Sequence, residues 1–74
     1  MRYTVVIEKG ATSYGAYVPD LPGCVAVGET LEEVKQMIAE AIEFHLEGML
    51  EDGLLIPKPT SIAYEVEVGK YIKI

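Results

Sequence analysis

The chain has 74 residues, a formal net charge of −6 and a single cysteine. This length predicts one domain over residues 1–74, and a domain so small is only marginally stable alone, so a homo-oligomer (dimer or tetramer) is expected. One cysteine excludes an internal disulfide. No apolar run approaches the roughly 20 residues that cross a bilayer, so no membrane contact is expected. The lone thiol and the lack of a signal peptide predict a cytoplasmic protein. The acidic charge disfavours nucleic-acid phosphates, so no direct DNA binding is expected.

The first half of the sequence predicts an antiparallel meander. Residues 2–8 alternate between two faces, as in a strand. A loop at residues 9–13 leads to strands at residues 14–18 and 24–27. The short connections favour antiparallel neighbours.

A proline-rich turn joins the second and third predicted strands. Pro19 and Pro22 preset φ, and Gly23 permits a backbone conformation that a Cβ atom forbids. Asp20 lies between the two prolines. Its carboxylate is expected to accept N–H groups of its own turn, with contact to a partner protein as the alternative.

A long helix is predicted from about Leu31 to Asp52. Thr30 and Glu33 have the spacing of a capping box, in which the threonine hydroxyl accepts from the Glu33 N–H and the Glu33 carboxylate accepts from the Thr30 N–H. Gly53 is expected to end the helix in a left-handed conformation. Apolar residues recur at three- and four-residue steps and predict one buried stripe. The C-terminal end is expected to overhang the short sheet. The stripe comprises Leu31, Val34, Ile38, Ala41, Ile42, His45, Leu46 and Met49.

The helix region also concentrates negative charge. Residues 29–52 contain eight of the twelve acidic residues and one base, Lys35. A solvated surface is the ordinary interpretation of such a charge run, and docking of a basic partner is the alternative. The candidate partner-binding residues are Asp20, Glu32, Glu40, Glu43 and Glu47.

A closing strand is predicted over residues 64–68, and residues 71–74 resume a strand-like pattern after Gly69. This end of the chain either extends the last strand or pairs with another subunit. The element order is then β-β-β-α-β. The fold class is α+β, a small antiparallel sheet with one long helix on one face.

No catalytic, cofactor or metal site is predicted. His45 is the single histidine and has no orienting partner in sequence, so a packing or partner-contact role is expected. Cys24 lies in an apolar strand without a nearby cation and is expected to be buried. Glu8 and Asp20 fall at strand ends and do not suggest the carboxylate cluster of a metal-dependent nuclease.

Several segments together resemble the HicB-like antitoxins. They are the apolar strand at residues 3–8, the aromatic strand at residues 14–18, Pro-Asp-Leu-Pro-Gly-Cys at 19–24, Gly-Glu-Thr-Leu-Glu-Glu-Val at 28–34 and Gly-x-x-x-Pro-x-Pro at 53–59. The resemblance covers nearly the whole chain and implies a partial RNase H-like fold.

The resemblance also implies a function. Antitoxins of this family bind a small basic mRNA-cleaving toxin, HicA, and cover its active site. Full-length HicB antitoxins usually carry a further C-terminal DNA-binding segment, and the chain is expected to be a short member without it. The alternative is an orphan oligomeric HicB-like module with a different protein or small-molecule partner. A metal-dependent nuclease is the third hypothesis, suggested by the fold analogy alone.

Overall fold

The computed structural model describes residues 1–71. Three strands, β1 (Val6–Lys9), β2 (Tyr14–Tyr17) and β3 (Val25–Gly28), form an antiparallel sheet in the order β1-β2-β3. The helix α1 spans Leu31–Glu51, and a single 3₁₀ turn follows at Gly69–Tyr71. The predicted meander and helix are therefore confirmed. The first strand is shorter than predicted, because regular pairing begins at Val6.

The strand register decides which side chains face the helix. Ala16 pairs with Ile7 on one side and Ala26 on the other, and all three belong to or pack against the core. Successive side chains of a strand point to opposite faces, so Tyr17 and its partner Val25 lie on the face away from the helix. The buried core comprises Ala16, Val18, Leu21, Cys24, Val34 and Ile38.

The turn between β2 and β3 contributes to this core. Leu21 is completely buried, and its N–H donates to the Val18 carbonyl over 3.0 Å. Gly23 has φ +86°, the left-handed conformation expected from its place in the turn. Cys24 is buried as predicted, and this burial raises the pKa of its thiol.

Both ends of α1 have well-formed caps. Thr30 Oγ1 accepts from the Glu33 N–H over 3.0 Å, as predicted. The Glu33 carboxylate accepts from the Glu29 N–H over 2.8 Å rather than from the Thr30 N–H, a shift of one residue outward from the predicted box. Gly53 has φ +71°, and the Gly53 and Leu54 N–H groups donate to the Leu50 and Met49 carbonyls. This is a Schellman motif, which confirms the predicted helix end.

Gly28 is where the sheet meets the helix. It is the last residue of β3, and a Cβ atom there would lie 2.8 Å from the Val34 nitrogen and 3.0 Å from its Cα. The strand end and the first turn of α1 approach this closely only because residue 28 has no side chain.

The closing strand predicted over residues 64–68 does not form within the chain. Residues 54–68 have neither helix nor strand, and residues 62–68 are exposed. The alternating pattern is typical of a strand, but no strand among residues 1–71 pairs with it. Residues 72–74, which include most of the predicted strand-like tail, lie outside the described residues.

Candidate partner-binding surfaces

Four of the predicted partner-binding residues lie on one stripe of α1. At about 100° per residue, Glu32, Glu40, Glu43 and Glu47 fall within about 80° of arc and extend over about 22 Å. The buried residues Val34 and Ile38 lie about 180° away. All four glutamates are exposed. We call this stripe the acidic face.

The acidic face lowers the stability of the helix that carries it. Glu40, Glu43 and Glu47 follow one another at spacings of three and four, and like charges at these spacings cost a few tenths of a kcal/mol per pair. The last turn of α1 has no basic residue. Acidic side chains near a helix C-terminus also oppose the helix dipole. The arrangement is therefore not explained by the stability of the isolated helix.

Asp20 contacts the C-terminal segment instead of its own turn. Its Oδ2 accepts from the Thr60 and Ser61 N–H groups over 2.9 and 3.0 Å, and its Oδ1 accepts from their hydroxyls over 3.1 and 2.8 Å. The backbone and side-chain hydrogen bonds from Ser61, followed by those from Thr60, lower the pKa of this carboxyl group. The predicted Asx-turn is therefore wrong. Both oxygens of Asp20 are engaged within the chain, so a partner could reach it only through their remaining lone pairs.

Two residues before β1 hold the same segment. The Tyr3 hydroxyl donates to the Pro57 carbonyl, and the Thr4 hydroxyl donates to the Ser61 carbonyl over 2.8 Å. Together with the Asp20 contacts these bonds form what we call the C-terminal clamp. Sequence reasoning missed it because Thr60 and Ser61 lie 40 and 41 residues from Asp20. The adjacent pair of hydroxyl residues was the one available signal.

An open groove lies between the edge of the sheet and the second half of α1. It has a volume of about 460 Å³ and is lined by Gly23 and Cys24 on the sheet side and by Phe44, His45 and Met49 on the helix side. His45 is half-buried in this lining, while Phe44 is 79% exposed. The face of the sheet away from the helix is apolar too, because Val25 and Val27 are 62% and 61% exposed. Sequence reasoning did not identify the groove or this face.

Neither a metal-binding cluster nor a membrane-spanning helix lies among the described residues. Within residues 1–71, no three His, Cys, Asp or Glu side chains come close enough together to hold a metal ion. No helix among these residues is long and apolar enough to cross a membrane.

Comparisons with known proteins identify the family. A family model described as the HicB-like antitoxin of bacterial toxin-antitoxin systems matches residues 3–73. An uncharacterized 14.9 kDa protein of Haemophilus phage HP1 is 44% identical over 96% of this chain and 53% of that protein. A UPF0150 protein of Helicobacter pylori is 39% identical over 93% of this chain and 97% of that protein.

Two further matches carry the family's name. Antitoxin HicB 2 of Photorhabdus laumondii is 33% identical over 82% of this chain and 44% of that protein. A chain of the solved HicA3 and HicB3 toxin-antitoxin complex superposes with a TM-score of 0.69 at 28% identity, covering 80% of this chain and 70% of that one. This chain thus spans about half the length of the phage protein and nearly all of the Helicobacter protein. The match over residues 3–73, the named relatives and the shared fold establish that the chain belongs to the family of HicB-like antitoxins.

Proposed function

We propose that this chain neutralises a small basic HicA-type mRNA-cleaving toxin by binding it and covering its active site. The acidic face is the observation that carries the proposal. It places four exposed glutamates along about 22 Å of helix, directly opposite the buried stripe. A basic protein surface would relieve the repulsion within this row and would also be attracted from a distance.

The family and the structural neighbour support the choice of partner. The matching solved structure is, by its name, a complex of HicA3 with HicB3. An RNA-cleaving toxin needs a basic surface to hold phosphates, and an acidic antitoxin can occupy that surface. The contact would be made by Glu32, Glu40, Glu43 and Glu47. Asp20 would contribute only through lone pairs that its hydrogen bonds to Thr60 and Ser61 leave free.

Neutralisation of this kind requires no chemistry from the antitoxin. The thiol of Cys24 is buried and its pKa is raised, which disfavours the reactive thiolate. His45 lines an apolar groove, which suits packing or a partner contact. We therefore infer that the chain is a cytoplasmic binding protein without enzymatic activity, cofactor or direct DNA contact of its own.

A second candidate function is an orphan oligomeric module with another protein or small-molecule partner. The groove beside Phe44 and the exposed apolar sheet face favour it, since neither is needed for an electrostatic contact. Homo-oligomerisation into a dimer or tetramer belongs to both candidates, because it would cover apolar surface that the small core leaves exposed.

Charge reversal on the acidic face tests the toxin proposal. Glu40→Lys with Glu47→Lys should slow association with a HicA-type toxin about tenfold and should flatten the dependence of the rate on salt. Glu8→Lys with Ala11→Lys and Thr12→Lys is the matched control, because it changes the net charge equally at exposed positions outside both the helix and residues 62–68. The association rates of both variants are measured over a salt series by stopped flow or by surface binding.

Toxin inhibition should weaken in step with binding. If the helix variant associates at the wild-type rate throughout the salt series, the acidic face is a solvated surface and the proposal loses its main support. If no neighbouring basic protein binds the wild-type chain at all, the orphan module is favoured.

A further inference from the structure

The strongest unexplained feature is the segment of residues 62–68, which we call the C-terminal arm. Its apolar side chains alternate with Ala63, Glu65 and Glu67, as in a strand with one apolar face. Each is more than half exposed, with Ile62 at 89%, Tyr64 at 85%, Val66 at 65% and Val68 at 53%. No hydrogen bond joins residues 62–67 to the rest of the described chain. A β-prone segment with neither a backbone partner nor a buried side is incomplete in one copy of the protein.

The dimensions of the chain support an arm that extends away from the packed body. A compact domain of this length has a radius of gyration of about 11 Å. The observed value is 15.0 Å, and the longest dimension is 52 Å. The helix accounts for only about 32 Å of that dimension. The remainder requires chain that extends beyond the packed body.

The C-terminal clamp fixes the base of the arm. Asp20 accepts four hydrogen bonds from Thr60 and Ser61, immediately before Ile62. The arm therefore leaves the domain from a defined position rather than from a loose tail. A segment held at its base loses less conformational freedom when it binds.

The same fold leaves one strand edge suited to receive an arm. No strand among residues 1–71 pairs with the outer edge of β3, whose sequence Val-Ala-Val-Gly contains neither charge nor proline. Charge and proline are the usual protections of an exposed edge. The other edge, β1, ends in Glu8 and Lys9, and the clamp already holds Tyr3 and Thr4 just before it.

The groove completes the receiving site. It lies beside the start of β3, with Phe44 and Met49 of α1 as its second wall. A strand added to β3 would direct every second side chain into this groove and the intervening ones to the open face of the sheet. The arm has the matching pattern, since one of its sides is apolar and the other carries Glu65 and Glu67.

We propose that the C-terminal arm of one copy adds as a fourth strand to β3 of a second copy, with Tyr64 and Val66 in that copy's groove. Reciprocal exchange of the two arms gives a closed dimer. The proposal specifies the contact behind the homo-oligomer inferred above and rests on that part of the proposed function. It uses a different surface from the acidic face, so the two are tested separately.

The first test is the mass of the purified chain in solution. Sedimentation of the wild-type chain at micromolar concentration should give twice the chain mass of 8.1 kDa. Val66→Pro removes a backbone donor and breaks the strand, so it should restore the single-chain mass. Glu8→Gln on β1, outside the proposed contact, is the control and should stay dimeric. Circular dichroism should show the same helix content in all three, because residues 62–67 make no hydrogen bond to the rest of the described chain. A monomeric wild-type chain, or a Val66→Pro variant of wild-type mass, overturns the proposal.

The second test locates the receiving strand. Chains that carry Glu65→Cys or Glu67→Cys are mixed with chains that carry Val25→Cys or Val27→Cys. Each of these four substitutions places the new thiol on the open face of the joined sheet. Oxidation should give mixed disulfide dimers for at least one pairing, whereas Glu8→Cys on β1 should give none with the arm variants. Native Cys24 is buried and does not compete. Cross-linking to Glu8→Cys alone would overturn the assignment to β3. Neither test includes a toxin, so absence of toxin binding would leave both results intact.

Discussion

Alanine substitution at two glycines should shift stability in opposite directions. Gly28 ends β3 against the first turn of α1, where a Cβ atom would lie 2.8 Å from the backbone nitrogen of Val34. Backbone atoms cannot turn aside as a flexible side chain does, so strand and helix must separate. Overpacking of this kind costs about 1–3 kcal/mol.

Gly48 is the matched control. It lies in α1, a Cβ atom there meets nothing within 4 Å, and its φ is negative. Glycine within a helix is about 0.5–1 kcal/mol less favourable than alanine, so Gly48→Ala should be stabilising by that amount.

Urea unfolding followed by circular dichroism measures both effects. With a slope near 1 kcal/mol per molar urea, the midpoint should fall by about 1–3 M for Gly28→Ala and rise by about 0.5–1 M for Gly48→Ala. All chains are compared at one protein concentration, since oligomerisation makes apparent stability concentration-dependent. A Gly28→Ala midpoint equal to or above that of the wild type, at an unchanged slope, would refute the close approach of β3 and α1.

Three further predictions concern the cap, the turn and the clamp. Thr30→Ala should cost about 1 kcal/mol through loss of the helix cap, and an unchanged thermal midpoint would contradict the observed Glu33 N–H contact. Gly23→Val should unfold the chain more readily than Thr30→Ala, because a β-branched residue is strained at φ +86°. The carboxyl pKa of Asp20 lies below its usual value of 3.8, so the clamp's contribution is complete above about pH 4 and is lost as pH falls through the lower folded value. The amide shifts of Thr60 and Ser61 should follow that titration by NMR, and Asp20→Asn should abolish it; amide shifts that titrate in Asp20→Asn as they do in the wild type would contradict the clamp.

Local patterns predicted the elements well because their causes are local. Thr30, Glu33 and Gly53 act within a few residues of the helix ends, so their spacing was sufficient to place both ends. The Glu33 carboxylate bonds one residue further out than predicted, because either N–H lies within reach of the same side chain. Leu21 was not recognised as core, since a residue in a proline-rich turn has no periodicity to reveal its burial.

Long-range contacts could not be predicted in the same way. Nothing local to Asp20 indicates Thr60 and Ser61 as its partners, so the nearer turn was the natural expectation. Residues 64–68 have the pattern of a strand, but pattern alone does not show which strand will be the neighbour or whether it belongs to the same chain. The sequence alone showed that acidic residues are concentrated in the helix region. The helix geometry then placed four of them on one stripe.

Burial along α1 is uneven, and we expect its second half to open more readily than its first. Val34 and Ile38 are its buried residues, and both lie in its first half. The second half packs against the core only through half-buried side chains such as Ile42 and Leu46, so its amides should exchange with solvent at a lower free-energy cost than those near Val34. Glu43 and Glu47 lie in that more weakly held half. A basic partner that binds the side chains of Glu43 and Glu47 should therefore slow amide exchange most in the backbone of the last two turns of α1. Binding would then be detected as increased order of that backbone, although the partner contacts only side chains there.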